Sequence, residues 1–356
     1  NLLQASSENA NSATNIWRID SMNVPRVVLG NLVGTQMQFQ YESNGQDYFI
    51  ANKSNDFRKA WVVEKMPNQQ LDQFLGADYL IITPSLFEKS ARQLADFYTS
   101  QKKWYQAKVV PAQQIYNVFG SGQVHAVAIR NFLKFLKNQS KKSGLLTPQY
   151  VLLMGGGNFD TKRLNIQSQL PVYESDNSNE ILNSYTSDDF YACLEDGQDM
   201  NVPISIDSLS IAIGRLPVRT IAEADTLVKK IINYQNGNRG AWQRDLIWVA
   251  DDGDYNLHLQ DADGISNNIF LQDPIWNHKK MYLDLYNAVP TSTGNTYPSL
   301  INDLKQRINN GALLLNYTGH GNYLRLSEEA VIAANTMSNW NNTNRNPIIC
   351  LLYTSP

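Results

Sequence analysis

The sequence predicts an α/β fold with mainly parallel sheets, and three observations predict it. Short apolar runs such as Tyr79-Leu80-Ile81-Ile82-Thr83 alternate with stretches whose apolar residues recur at helical spacing. The runs are continuous, as expected of strands covered on both faces. One of them, Ala312-Leu313-Leu314-Leu315-Asn316-Tyr317-Thr318, stops at Gly319-His320-Gly321, a histidine between two glycines. Strand–helix alternation implies right-handed crossovers between parallel strands. Ligand sites in such sheets lie at the carboxyl ends of the strands.

Residues 1–70 have a different rhythm. Arg26–Leu29, Gln36–Tyr41 and Asp47–Ala51 are short runs separated by Asn, Gly and Ser, and the middle one alternates strictly. They predict antiparallel strands at the end of a β-rich amino-terminal domain.

Residues 71–240 form the first predicted α/β subdomain. Strand Asp78–Thr83 leads to Ser85-Leu86-Phe87-Glu88, which has the spacing of a capping box. Phe87, Ala91, Leu94, Ala95 and Tyr98 continue it as a helix. Strand Lys108–Val110, helix Ala126–Leu136 and strand Tyr150–Met154 follow, the last running into Gly155-Gly156-Gly157. A polar segment, Asn158–Ser208, precedes strand Ile211–Arg215. Thr220-Ile221-Ala222-Glu223 then opens a helix to about Tyr234. Asn236–Gly240 reads as a break.

Residues 241–349 repeat the rhythm, with strand Leu246–Ala250, a helix near Ile265–Leu271 and strand Met281–Leu285. Leu300, Ile301, Leu304 and Ile308 mark a helix face, followed by the His320 strand and Pro347-Ile348-Ile349. Two adjacent α/β subdomains are therefore expected.

A formal net charge of −3 gives no reason to expect nucleic acid or an anionic membrane as partner. No apolar stretch approaches the roughly 20 residues of a spanning helix. Asn1 is not an initiator methionine, so the true start is expected upstream. Cys193 and Cys350 cannot build a disulfide framework. His125, His258, His278 and His320 show no metal-ligand spacing with either cysteine, and zinc is not expected.

Histidine exchanges protons near neutral pH, and flanking glycines let other groups approach it closely. His320 is therefore the candidate catalyst, against a plain turn histidine. Asp251-Asp252-Gly253-Asp254 ends a strand of the same half. Acidic residues there bind a cation, orient a histidine or solvate a turn, and position alone favours the solvated turn. Strand ends of one parallel sheet share an edge, so a carboxylate in this group can fix the imidazole tautomer. Gly155–Gly157 lacks the dinucleotide fingerprint and no Gly-Lys-Ser/Thr follows it, so a tight turn is expected rather than a phosphate cradle. Cys193 reads as a small half-buried residue. Cys350 lies in the apolar run Ile348–Leu352, where burial would make a thiol inert.

Asn316-Tyr317-Thr318-Gly319-His320-Gly321 resembles the catalytic histidine motif of the gingipains, the C25 cysteine peptidases of caspase-like fold. Ile213-Gly214-Arg215-Leu216-Pro217-Val218, Tyr150–Met154 with its glycines, and Ser187-Asp188-Asp189-Phe190-Tyr191 are similar to other segments of that family. The resemblance runs from about Gln73 to Pro347. The β-rich lead-in and Trp340-Asn341-Asn342 are more similar to the PorU-type sortases of the type IX secretion system than to secreted gingipains.

This resemblance implies a caspase/gingipain-like fold and a cysteine endopeptidase or sortase with a Cys/His dyad. His320 would be the general base and acid, Gly321 N–H an oxyanion donor, and Asp252 the orienting carboxylate. Asp261 and Asp263 lie near the region implied for substrate binding. The family's cysteine is expected near Thr354, with a register shift that makes Cys350 the nucleophile as the alternative. Residues 350–356 resemble no family segment and are expected to be a non-native tail, so this chain is expected to be inactive. Implied partners are secreted polypeptides carrying a C-terminal sorting domain and other secretion-system components, at the bacterial outer-membrane surface. No catalytic cofactor or metal is implied, and calcium only as a structural ion. The alternatives are a non-catalytic caspase-like module and a nucleotide or phosphate binder using Gly155–Gly157.

Overall fold

The computed structural model describes residues 2–19, 25–42, 48–53, 65–158, 160, 166–176, 179, 184–202, 206, 208–237, 239–292, 294–322 and 324–352. The chain divides into two compact units, Asn1–Asn68 and Gln69–Pro356.

The first unit holds two three-stranded antiparallel sheets. Gln36–Glu42 lies between Leu2–Ser7 and Gly30–Val33, and Thr14–Ile19 lies between Pro25–Val28 and Phe49–Lys53. Alternation along Gln36–Tyr41 turns Met37 and Phe39 inward, where they pack with Ile16 and Ala10. The strand expected at Asp47–Ala51 begins at Phe49, and Asp47 lies outside the described residues.

Among the described residues, the second unit is framed by two four-stranded parallel sheets. In its first half, β1 (Tyr79–Thr83) is followed by α1 (Glu88–Asp96), β2 (Ala107–Pro111), α2 (Ala112–Phe119) and α3 (Ala126–Lys142). Then come β3 (Tyr150–Met154), β4 (Ala212–Leu216) and α4 (Ile221–Asn236). The strand order is β4-β3-β1-β2, all parallel. Leu80 and Ile82 face Ile115, Phe132 and Leu133 of α2 and α3, while Ile81 faces Ala91 and Leu94 of α1. Helices on both faces explain the unbroken apolar run. Burying each such side chain contributes about 1.5–3 kcal/mol, which pins the register.

The second half contains β5 (Asp245–Ala250), α5 (Leu257–Gln272), β6 (Asn277–Tyr282), α6 (Pro298–Asn310), β7 (Leu314–Thr318) and β8 (Ile348–Leu352). Its order is β6-β5-β7-β8, again parallel. Leu300, Leu304 and Ile308 of α6 cover Ile247, Val249, Leu315 and Tyr317 on one face. Ala262 of α5 covers Leu246, Trp248 and Ala250 on the other. Among the described residues no helix is long and apolar enough to cross a membrane.

Several local expectations need correction. Ser85 does not cap α1: Ser85–Phe87 is a 3-10 turn, no side chain caps the helix, and Glu88 pairs forward with Arg92. The other box forms with its return bond shifted by one residue. Thr220 Oγ1 accepts from Glu223 N–H at 3.2 Å, and Glu223 accepts from Arg219 N–H at 2.8 Å. Helix α5 starts eight residues before Ile265, because the face it buries is His258, Ala262 and Ser266. Those residues are small or polar at i, i+4 and i+8, so hydrophobic periodicity does not reveal them. Strand β6 starts at Asn277, four residues before the expected Met281. It is an edge strand, where polar residues such as Asn277 and Lys279 are tolerated.

Strand β8 continues through Cys350, Leu351 and Leu352 in register with Asn316, Tyr317 and Thr318. The first three residues of the expected tail are thus part of the sheet, and residues 353–356 lie outside the described residues. All five residues of β8, at the open edge of the sheet, are exposed.

Candidate active site

The register of the second sheet sets the site. Ala250 of β5 pairs with Thr318 of β7, and Asp251 N–H continues the ladder to the Thr318 carbonyl at 3.0 Å. The next residues on both strands therefore leave the sheet on one edge. Gly319 turns the chain there with φ +155°, and a Cβ at that position would land against the Asp251 side chain. Only glycine fits so close an approach at that dihedral.

His320 Nε2 lies 2.7 Å from Asp254 Oδ2. The carboxylate reaches the ring because Asp254, Tyr255 and Asn256 form three consecutive left-handed residues, at φ 55°, 56° and 63°, ahead of α5. A tyrosine adopts that conformation rarely, and strained backbone of this kind concentrates at functional sites. The hydrogen bond with His320 holds the Asp254 carboxyl below the usual carboxylate range, and the charges of His320 and His258 add to this. His258, on the first turn of α5, stands edge-to-face against His320 with ring centroids 5.0 Å apart. Its Nε2 is 3.3 Å from the same Asp254 oxygen.

Behind the imidazole, the Tyr317 hydroxyl donates to the His320 carbonyl at 2.6 Å. His320 N–H donates to Asp251 Oδ2 at 3.3 Å. Asp251 is buried, and desolvation pushes its carboxyl above the usual range. Burial likewise raises Glu329 and Asp284, with the charge of Asp252 adding to both. The loop after His320 folds back through Asn322 N–H to the Arg325 carbonyl (2.9 Å) and Ser327 N–H to the His320 carbonyl (3.0 Å). Gly321 faces Leu326 between those two bonds, in the non-hydrogen-bonded position of the bridge. Its own amide is not spent there.

Other residues singled out in the sequence are placed as follows. Asp252, expected on the imidazole, accepts instead from the Tyr297 hydroxyl at 2.5 Å, and the carboxylate on the ring is Asp254, two residues further along. Asp263 takes Lys280 Nζ at 2.5 Å and the Tyr282 hydroxyl at 3.1 Å, contacts that lower its carboxyl, with Lys280 foremost. Asp261 is exposed on the same helix, and residues two apart on a helix do not share a face. The two aspartates are not brought together.

Cys350 is exposed, correcting the expectation of burial, and it pairs with Asn316, two residues short of the end of β7. Cys193 is buried, and desolvation pushes its thiol up. The triglycine does not open into a phosphate cradle: Gly155 N–H bonds the Leu216 carbonyl and Gly156 N–H the Val218 carbonyl. Gly156–Asn158 then pairs with Gln169–Pro171 as a short parallel ladder.

Two motifs that the sequence keeps apart are joined. Arg215 Nε and Nη2 grip Asp188 Oδ2 and Oδ1 at 2.7 and 2.6 Å, and Nη1 and Nη2 reach the carbonyls of Gly155 and Pro171. The guanidinium thereby ties strand β4 and the triglycine to the loop that carries Asp188.

The family model for peptidase family C25 matches residues 72–352. Among solved structures, dimeric latent PorU from Porphyromonas gingivalis is similar at 26% identity and a TM-score of 0.56, over 65% of this chain and 23% of that one. The Arg-specific cysteine proteinase gingipain R (RgpB) matches at 18% identity and a TM-score of 0.55, over 81% of this chain and 56% of that one. The complex of Porphyromonas gingivalis RgpB pro- and mature domains matches at 20% identity and a TM-score of 0.52, over 76% of this chain and 54% of that one. The chain thus spans little more than half the length of the gingipain structures and 23% of the PorU chain. No curated protein matches the sequence.

Proposed function

The chain belongs to peptidase family C25 and has a gingipain-like α/β fold, and from that premise we infer that its parent protein cleaves polypeptides with His320 as general base and acid. The observation that carries this reading is the 2.7 Å contact of His320 Nε2 with Asp254 at the carboxyl edge of a parallel sheet. A carboxylate on one ring nitrogen fixes the tautomer and stabilises the imidazolium, so the nitrogen that serves the thiol is Nδ1. The imidazole takes the thiol proton, and the thiolate attacks the peptide carbonyl. The Gly321 amide supports the oxyanion as it forms. His320 then gives its proton to the departing amine, leaving a thioester. Water releases the acyl group as an acid, or an amine takes it as a new amide.

In this reading the nucleophile is a cysteine other than Cys350. Cys350 stands level with Asn316, about 6–7 Å before the end of the strand ladder at Thr318.

The finer reading is a PorU-type sortase that acts at the bacterial outer-membrane surface on secreted proteins carrying a C-terminal sorting domain, alongside other secretion-system components. Support comes from the 26% identity with PorU over 65% of the chain. No cofactor takes part in this chemistry, and calcium has only a structural place in it.

A thiol-directed peptidyl chloromethyl ketone, followed by peptide mapping of the parent protein, tests the nucleophile. Label on a cysteine beyond Leu352 is expected. Label on Cys350, or peptide cleavage by the 356-residue chain that His320→Ala abolishes, would overturn the assignment.

A further inference from the structure

The peptidase reading employs His320 and Asp254 but gives His258 no part. That residue is 4% exposed, and its Nε2 is buried without a hydrogen-bond partner. The nitrogen lies 3.3 Å from Asp254 Oδ2, near the oxygen that His320 Nε2 also approaches, but makes no hydrogen bond to it. Buried polar atoms are nearly always satisfied, so an orphaned imidazole nitrogen beside two other donor groups points to a missing ligand. One donor atom from each of Asp254, His258 and His320 can be chosen so that all three lie within 4.8 Å of one another.

We propose that Asp254, His258 and His320 form a binding site for a transition-metal dication of the zinc class. Two imidazole nitrogens and one carboxylate oxygen form a borderline donor set that suits zinc, whereas calcium and magnesium require oxygen ligands throughout. Tetrahedral bonds of about 2.0–2.1 Å set neighbouring donors about 3.3 Å apart. The 3.3 Å separation of His258 Nε2 from Asp254 Oδ2 matches that spacing, and the 2.7 Å hydrogen bond from His320 has to open by about 0.6 Å when an ion replaces the proton. Three protein ligands leave the fourth position to water. The histidine and cysteine spacing gives no reason to expect this site, because its ligands come from the loop after β5, the start of α5 and the loop after β7.

A metal held there engages His320, so its occupancy withdraws the imidazole from proton transfer. That regulatory consequence rests on the peptidase reading, but metal binding itself does not.

Calorimetric titration of zinc chloride into the untagged 356-residue chain tests the site without any activity readout. Binding of one equivalent is expected. Asp254→Asn and His258→Asn should each weaken it at least about tenfold, while Cys350→Ser leaves it unchanged. Absence of zinc binding, or unchanged affinity in the Asp254→Asn chain, overturns the proposal. Asp254 is half exposed, so that variant decides the question even if His258→Asn fails to fold. A failed titration leaves the peptidase reading standing, and lost peptide cleavage leaves the metal site standing.

Discussion

His320 and Asp254 meet at 2.7 Å although 66 positions separate them in the chain. Parallel pairing of β5 with β7 brings their loops to one edge, and three left-handed residues turn the carboxylate onto the ring. The contact lowers the Asp254 carboxyl, with His320 as its largest cause. A depressed carboxyl pKa contributes stability above the unfolded value and loses it as pH falls through the folded one. In His320→Ala the Asp254 carboxyl should therefore titrate closer to the ordinary value of about 3.9. Carbon-13 NMR of the carboxylates reads this directly, and an unmoved titration would show that His320 does not hold the carboxylate.

Gly319 should not tolerate a side chain. Its φ of +155° is unfavourable for any L-residue, and an added Cβ would lie 2.8 Å from the Tyr317 hydroxyl. Gly319→Ala is expected to destabilise the second unit by at least about 1–3 kcal/mol. Urea denaturation measures it, and a wild-type midpoint would contradict the close approach.

Arg215 and Asp188 should behave as a half-buried, mutually dependent pair. The guanidinium side chain is 11% exposed, and although burial disfavours its charge, the Asp188 contact outweighs that and raises its pKa. Asp188→Ala removes a charge-assisted bidentate contact and is expected to cost about 1.5–3 kcal/mol. The double change Asp188→Leu with Arg215→Met should cost less than the single one. Equal or greater loss in the double variant would mean that the carbonyl contacts dominate.

Acidification should favour the residues behind the imidazole. Burial raises the Asp251 carboxyl above its unfolded value, and Asp284 and Glu329 are shifted in the same direction. A raised pKa contributes stability that is fully present below the unfolded value and is lost as pH rises through the folded one. Asp251→Asn should thus shrink the stability difference between a pH at the ordinary carboxylate value of about 3.9 and a pH well above it. Denaturation at the two pH values measures the difference, and an unchanged difference would show that Asp251 is not its source.

Much of the fold is legible in the sequence because the parallel strands are buried on both faces. Ile81 with its neighbours, and Leu315 with Tyr317, are apolar for that reason and read as strands at once. Helix α5 is not legible from its start, since His258, Ala262 and Ser266 are what it buries. His320 was identifiable because glycines flank it at a strand end. Its carboxylate partner was not: Asp252 and Asp254 are equivalent in composition, and only the left-handed run at Asp254–Asn256 distinguishes them. Likewise, Asp188 and Arg215 stand out as separate motifs, while their pairing depends on a loop path that no periodicity encodes.

The most direct test of the central claim is peptide hydrolysis by the parent protein with and without the imidazole. Positioned acid–base catalysis is worth about 10²–10⁴-fold in rate. His320→Ala should lower kcat/KM by that order through kcat, with KM little changed and the fold intact by circular dichroism. Undiminished kcat/KM in His320→Ala would contradict the assignment of His320 as the catalytic base.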